Sequence, residues 1–187
     1  MDIKFEKIEL EGVIIIHSSS FKDERGWLRE SYNENTFFKN GITEKFLQEK
    51  NSFSKFNVLR GLHFQNDPFA QGKLVRCVSG SIFDVVVDIR ENSKTFGKWF
   101  GMELTDNNGY QIYIPTGFAH GFIVTSSMGA MFNYHITHNH FNKKYDAGVY
   151  FNDKEIGIDW PTDINKMIIS EKDKNLPTLK QFKNYYD

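Results

Sequence analysis

The sequence predicts an all-β protein, a sandwich or barrel with short peripheral helices. Many short β-rich segments are separated by turn residues, and helical signals are confined to three brief stretches. Strands of this number and spacing are typical of sandwiches and barrels, and a jelly roll is a natural candidate. The 187 residues contain no internal repeat and no Pro/Gly/Ser-rich linker, so we expect one domain over residues 1–187.

Each element is predicted from a local pattern. The clearest strand is 81–89, in which apolar side chains at 83, 85, 87 and 89 share one face while Asp84 and Asp88 lie on the other. Further strands are predicted at 73–79, 98–105, 110–114, 121–125 and 130–137. Short helices are predicted at 33–40, where Gly41 ends the helix, at 170–173 and at 178–185.

Composition and charge exclude several classes of protein. Lys+Arg number 23 and Asp+Glu 24, a net charge of −1, which argues against a nucleic-acid-binding protein but allows a local basic pocket. The lone Cys77 excludes an internal disulfide framework. The longest apolar stretch, 12–16, is too short to cross a membrane, and no signal peptide is evident. We therefore expect a cytoplasmic protein.

The segment 57–65, followed closely by Lys73, carries the densest set of chemically useful side chains. Strict alternation places Arg60 and His63 on opposite faces of a strand. A site that contains both needs a bulge or twist, for which Gly61 is suitable. The alternative interpretation is a surface arginine and a structural core histidine.

A second segment, 114–122, places His120 between small residues at the start of an apolar strand. Gly117 and Gly121 would let a ligand approach the backbone closely. The alternative is a glycine-rich turn with an incidental histidine. Farther along, Tyr134 shares a strand face with apolar residues, so its hydroxyl is expected to point inward and to need a partner.

The histidines at 135, 138 and 140 form the one dense group of metal-ligand types. A continued strand would place His138 and His140 on one face, a geometry that can bind a metal. A solvated strand end is the commoner meaning of such an Asn/His-rich segment. We predict that no metal is required.

Taken in order, these segments resemble the dTDP-4-dehydrorhamnose 3,5-epimerase family. The resemblance runs from about residue 5 to 179, and it is carried by 21–27, 46–48, 58–65, 71–76, 83–88, 95–99, 114–122, 156–161 and 170–173. It implies a cupin-type jelly-roll homodimer that works without metal or cofactor. The implied substrate is a nucleotide-diphosphate sugar, since the family converts dTDP-4-dehydro-6-deoxy-D-glucose to dTDP-4-dehydro-L-rhamnose.

The resemblance also implies roles for individual residues. His63 would be the base, Asp173 would orient it, Tyr134 would be the acid on the opposite sugar face, and Lys73 would stabilise the enolate. Arg60 and His120 would contact the sugar or diphosphate. The positions that match the family's nucleotide and phosphate site are Arg25, Trp27, Glu30, Gln48 and Lys172.

The sequence departs from the family pattern at several positions around the nucleotide. Lys50 stands where an Asn is usual, Asp146 replaces a Glu, and His140-Phe141 replaces a Tyr-Tyr pair. We still expect Lys50, His140 and Asp146 to contact the substrate. Three alternatives stay open: an epimerase or keto-isomerase of the same scaffold with another nucleotide sugar, a non-catalytic binding module, and a metal-dependent cupin oxygenase.

Overall fold

The computed structural model describes residues 2–138 and 140–186. Their strands are β1 (Ile3–Lys7), β2 (Ile14–Ser18), β3 (Phe21–Asp23), β4 (Gly26–Leu28), β5 (Gln48–Ser54), β6 (Leu59–Gln65), β7 (Lys73–Ser79), β8 (Ser81–Asp88), β9 (Trp99–Thr105), β10 (Tyr110–Ile114), β11 (Phe118–Val124), β12 (Ala130–Ile136) and β13 (Asp146–Gly148). The α-helices are α1 (Glu34–Lys39), α2 (Glu171–Lys174) and α3 (Leu179–Tyr186), and 3₁₀ turns occupy Lys143–Tyr145 and Ile164–Lys166.

The strands form a jelly roll. A six-stranded sheet has the order β1-β2-β10-β7-β12-β5, a five-stranded sheet has the order β13-β6-β11-β8-β9, and β3 and β4 form a separate hairpin. Among the eight central strands the antiparallel pairs are nested, β5 with β12, β6 with β11, β7 with β10 and β8 with β9. A long hairpin rolled in this way gives the jelly roll, which confirms the predicted fold class.

Apolar side chains from the two sheets meet in a shared core. Val75 and Phe132 of the six-stranded sheet pack with Val86, Leu104 and Phe122 of the five-stranded sheet, and all are buried. Burial of this kind is the main stabilising contribution in such a domain. The core fills one part of the space between the sheets and leaves the other part for polar residues.

The outer face of each sheet is also covered. The C-terminal segment packs Phe151, Trp160 and Leu179 against the five-stranded sheet. The α1 region packs Phe37 and Ile42 against the other. None of the helices within the described residues combines the length and apolar character needed to cross a lipid bilayer.

The predicted elements are confirmed with small shifts of their ends, and the strand predicted at 121–125 begins earlier, at Phe118. Asn33 is the N-cap of α1 and accepts a hydrogen bond from the Thr36 N–H. Strands β1 to β5 and β13 were not predicted. The β3–β4 hairpin is short and exposed, and β5 has a largely polar sequence, so hydrophobic alternation gives no signal there.

A bulge in β6 places two site residues on the same face. His120 pairs with His63, but Phe122 pairs with Arg60, so β6 has one more residue than β11 over this stretch. Gly61 lies at the bulge with φ +125°, and a Cβ there would come within 2.6 Å of the Gly121 Cα. The expected departure from alternation at Gly61 is therefore confirmed, for a reason of backbone geometry.

We predict that Gly61→Ala destabilises the protein by about 3 kcal/mol, because the new Cβ meets backbone atoms at a positive φ. The matched control is Gly41→Ala, where φ is +95° but no atom lies within 4 Å of the added Cβ. Only backbone strain applies there, and we expect a loss of about 1 kcal/mol. Urea unfolding measures the free energy of unfolding of both variants. Equal losses of stability would contradict the close approach of the Gly61 Cβ to the Gly121 backbone.

Candidate active site

The open part of the space between the sheets is a cavity of about 310 Å³. Both sheets contribute polar side chains from their inner faces: Arg60, His63 and His120 from the five-stranded sheet, and Lys50, Lys73 and Tyr134 from the six-stranded sheet. A concave site with a few convergent polar groups on apolar walls is typical of small-ligand binding.

His63 is held by a buried carboxylate. Its Nε2 lies 2.7 Å from Asp173 Oδ1, and Asp173 Oδ2 accepts a hydrogen bond from the Gly61 N–H at 3.3 Å. Burial raises the pKa of Asp173, but the hydrogen bonds from His63, Gly61 and Ser170 outweigh that effect and leave it below its usual range. The neutral imidazole donates Nε2–H to Asp173, so the lone pair is on Nδ1 and can accept a proton.

His120 forms a second histidine–carboxylate pair on the neighbouring strand. Its Nε2 lies 2.9 Å from Oδ2 of Asp84, whose side chain is fully buried. Burial lowers the pKa of His120 and Asp84 only partly opposes this, so the ring is neutral near pH 7. Sequence reasoning missed this role of Asp84. The available signal was a carboxylate on the inner face between Ile82 and Val86, where burial demands a partner.

Lys73 brings a cation next to the His63–Asp173 pair. Its Nζ donates to the His63 backbone carbonyl at 3.3 Å. Burial lowers the pKa of Lys73 to about 8; Asp84 and Asp146 oppose this, and Lys50 adds to it. The ammonium therefore remains charged at neutral pH and can stabilise an anion in the cavity.

Tyr134 lines the opposite wall, on β12. It packs beside Phe132, with ring centroids 5.3 Å apart, and belongs to the partly buried edge of the inter-sheet core. The expected inward direction of this residue is thus confirmed. Burial raises the pKa of the Tyr134 hydroxyl, opposed by the charge of Arg60, so the phenol keeps its proton at neutral pH.

The family model for dTDP-4-dehydrorhamnose 3,5-epimerase matches residues 7–181. The chain belongs to this family. It is 47% identical to the Escherichia coli dTDP-4-dehydrorhamnose 3,5-epimerase, with 94% of each protein covered. An Elizabethkingia anophelis enzyme of the same name has a crystal structure that is similar at a TM-score of 0.90, with 46% identity over 96% of this chain and 97% of that chain.

A structure that contains a sugar nucleotide is similar as well. The Legionella pneumophila dTDP-6-deoxy-D-glucose-3,5-epimerase in complex with dTDP-4-keto-L-rhamnose has a TM-score of 0.90 and 37% identity, covering 100% of this chain and 95% of that chain. The present protein is therefore an isomerase of the epimerase type. The ligand of the Legionella enzyme is a nucleotide-linked keto sugar, in agreement with the substrate class expected from the sequence.

Other expected substrate-binding residues of this epimerase fall into two groups. Asp146 and Lys172 line the cavity and form an ion pair with each other. Five residues do not line the cavity: Arg25, Trp27, Glu30, Gln48 and His140.

The structure shows the local surroundings of four of these residues. Arg25 and Trp27 lie on the exposed β3–β4 hairpin, where Arg25 pairs with Asp23 at 2.6 Å. Glu30 follows the hairpin and accepts a hydrogen bond from Asn33. The backbone carbonyl of His140, whose side chain is exposed, accepts a hydrogen bond from Gln71. A role for these residues in substrate binding stays a prediction.

The histidines near the end of β12 do not continue a strand. β12 ends at Ile136, so His138 and His140 lie beyond the strand, in agreement with the favoured interpretation of a strand end rather than a continued strand face. In the parts of the chain that the structure describes, no three His, Cys, Asp or Glu side chains are grouped to hold a metal ion. The prediction that the epimerase needs no metal is still open to experiment.

We predict that Asp173→Asn lowers kcat of the epimerase by roughly 10³–10⁴-fold, because an amide cannot fix the His63 tautomer or stabilise its imidazolium. Affinity for dTDP, measured by calorimetry, should stay near that of the wild type, since Asp173 lies behind His63. A fall in kcat of less than tenfold in a folded variant would contradict the role of this carboxylate.

We predict that kcat/KM of the epimerase falls as the pH rises through about 8, where the buried Lys73 loses its proton. The charged form is present below that pH and is lost above it. In Lys73→Arg the fall should move to higher pH, because a guanidinium stays charged. A pH profile of kcat/KM measures this; an unchanged alkaline limb in the arginine variant would assign it to another group.

Proposed function

We propose that this protein converts dTDP-4-dehydro-6-deoxy-D-glucose to dTDP-4-dehydro-L-rhamnose by inverting carbons 3 and 5 of the sugar. One observation carries the proposal: a histidine held by a buried carboxylate and a protonated tyrosine lie on opposite walls of one cavity. Inversion needs a base on one face of the ring and an acid on the other, whereas a binding module needs neither.

The chemistry follows from the placement of these groups. Hydrogens next to the carbon 4 ketone are acidic, because the electron pair left behind delocalises onto the ketone oxygen as an enolate. His63 Nδ1 takes the proton, and the charged, buried Lys73 stabilises the enolate oxygen. Tyr134 then donates its hydroxyl proton to the same carbon from the opposite face. Solvent reprotonates the phenolate, and His63 returns its proton to solvent.

Every step in this scheme uses a side chain of the protein, so the proposal includes no metal ion and no cofactor. Asp173 holds the base throughout, and its own charge stabilises the imidazolium that forms. Repeating the cycle at the second carbon requires only that the sugar present that carbon to the same two walls.

We further propose a cytoplasmic homodimer. The β3–β4 hairpin exposes Phe21 and Leu28 at 63% and 62%, together with Trp27. Apolar residues exposed together on one small element are typical of a protein interface. A second chain would cover these apolar side chains. Arg25 and Trp27 of the first chain could then lie near the cavity of the second. Sedimentation of the pure protein would test the dimer.

The activity is tested by incubating the epimerase with dTDP-4-dehydro-6-deoxy-D-glucose in deuterated water. We expect deuterium at carbon 3 and at carbon 5, detected by NMR, because the returning proton comes from a group that exchanges with solvent. Exchange at one carbon only would indicate a mono-epimerase. Absence of exchange with any 4-keto-6-deoxy nucleotide sugar would exclude the proposed activity.

Tyr134→Phe tests the acid in the same assay. The variant keeps the base but lacks the proton donor on the opposite wall. We expect a loss of product of at least roughly 10²-fold, with a smaller loss of substrate proton exchange. Product formation at the wild-type rate would show that another group donates the proton.

A further inference from the structure

The base and the acid of the proposed reaction are held in different ways. The imidazole of His63 is bonded to Asp173, and Lys73 donates to the backbone of the same strand. Across the described part of the chain, the hydroxyl of Tyr134 has no hydrogen-bond partner, and its ring packs beside Phe132. The position of the proton donor therefore depends on the position of β12 itself.

A polar network lies directly behind Tyr134, on the outer face of the six-stranded sheet. Lys50 and Tyr134 line the cavity, so the residues next to them in each strand point to the opposite face. On that face Asn133 of β12 lies between Asn51 of β5 and Arg76 of β7 in the antiparallel register. Only 1% of Asn133 is exposed, so its amide needs hydrogen-bond partners within the protein.

The amide of Asn133 connects three strands. Its Nδ2 donates to Glu49 Oε1 at 2.5 Å and to Asn51 Oδ1 at 2.9 Å, both on β5. Its Oδ1 accepts a hydrogen bond from Arg76 Nε, on β7, at 3.3 Å. A carboxylate can only accept and a guanidinium can only donate, so these partners fix the orientation of the amide. Two of the three hydrogen bonds involve a charged partner and belong to the stronger kind.

These hydrogen bonds act where the backbone ladder constrains β12 least. Pairing of β12 with β7 is irregular just before Tyr134, because the register shifts between Met131 and Phe132. An irregularity of this kind disrupts the ladder and increases the local twist. On its other side β12 meets β5, which is the last strand of its sheet and has a neighbour on one side only. The side chain of Asn133 therefore adds a connection that the backbone does not provide.

We propose that Asn133 is a positioning residue of the epimerase, which holds β12 between β5 and β7 so that the Tyr134 hydroxyl faces the sugar. This inference rests on the proposed function, because it takes Tyr134 as the proton donor. The hydrogen bonds of Asn133 all lie within the six-stranded sheet, whereas His63 and Asp173 belong to β6 and α2. Lys73, although on β7, is bonded to the His63 carbonyl. Loss of the network should displace the acid and leave the base in place.

A displaced acid changes the fate of the enolate and not its formation. His63 still removes the proton, exchanges it with the solvent and, in deuterated water, returns a deuteron to the same face of the sugar. The starting sugar then gains deuterium without inversion. The ratio of inversion to exchange thus reports the position of the acid, whereas a general loss of folded protein lowers both rates together.

The test begins with Asn133→Asp, which keeps the size of the side chain but places a second carboxylate next to Glu49. We expect inversion to fall at least about tenfold, because a misplacement of about 1 Å can cost roughly 10²-fold, while exchange falls less than about threefold. Asn152→Asp makes the same change at an exposed position and should alter neither rate. NMR in deuterated water measures both rates.

A double variant distinguishes positioning from other effects of the new charge. In Glu49→Gln/Asn133→Asp the donor and acceptor groups are exchanged, because the new amide at 49 can donate to the new carboxylate at 133. Asn51 can also donate to this carboxylate after rotation of its amide, and Arg76 can pair with it. We expect the ratio of inversion to exchange to return to within about threefold of the wild-type value.

Two further variants complete the test. Asn133→Asp should not lower the ratio further in a Tyr134→Phe background, because the donor that Asn133 positions is then absent. If circular dichroism shows that Asn133→Asp does not fold, Glu49→Ala replaces it, since the Glu49 side chain is half exposed and its loss removes one hydrogen bond to Asn133. We expect the ratio to fall at least about threefold in Glu49→Ala, in proportion to the loss of one charged hydrogen bond.

Three outcomes would each overturn the assignment. They are equal losses of inversion and exchange in the single variants, no recovery in the double variant, and a further fall of the ratio in the Tyr134→Phe background. Failure of the proposed function is a separate result, because it is the absence of deuterium exchange in the wild type.

Discussion

Asp173 is the residue on which the geometry of the site depends. One of its carboxylate oxygens accepts the N–H of Gly61 in the bulge of β6, and the other holds the imidazole of His63. The bulge turns Arg60 and His63 to the same side of the strand, and the imidazole contact fixes the tautomer. The buried Asp173 carboxylate on the four-residue helix α2 therefore positions both the backbone at the bulge and the imidazole of the base. The N-cap Ser170 accepts the Asp173 N–H and positions that helix.

The jelly roll provides the two facing walls of the cavity, which the bulge alone cannot provide. Its nested pairing places β6 and β12 in different sheets that face each other across the cavity. A base on one wall and an acid on the other follow from that topology. The apolar core closes one end of the space between the sheets, and Lys73 and the His120–Asp84 pair are buried there, where charges interact more strongly than in water.

The cations of the cavity lie in different environments. Lys50 and Arg60 line the cavity, whereas Lys73 is buried and donates to the His63 backbone carbonyl. Lys172, which also lines the cavity, is paired with Asp146. A chain with a net charge of −1 can in this way present a local group of cations without a general affinity for polyanions.

The sequence by itself determined the fold class, most of the central strands and the residue types of the proposed chemistry. Alternation in 81–89 and the turn residues between strands are local signals, and local signals can be read from one chain. The order of motifs around His63, His120, Tyr134 and Asp173 indicated the family for the same reason.

Only the tertiary structure decided which of these residues meet. Asp173 and His63 are 110 positions apart in the chain, and Asp84 and His120 are 36 apart, so no local pattern could pair them. The structure also showed that Lys172 is paired, because ion pairs depend on distances across strands. A sequence contains periodicity and residue types. The burial and long-range contacts that set the pKa values and the charge balance of the site exist only after the two sheets have folded around the cavity.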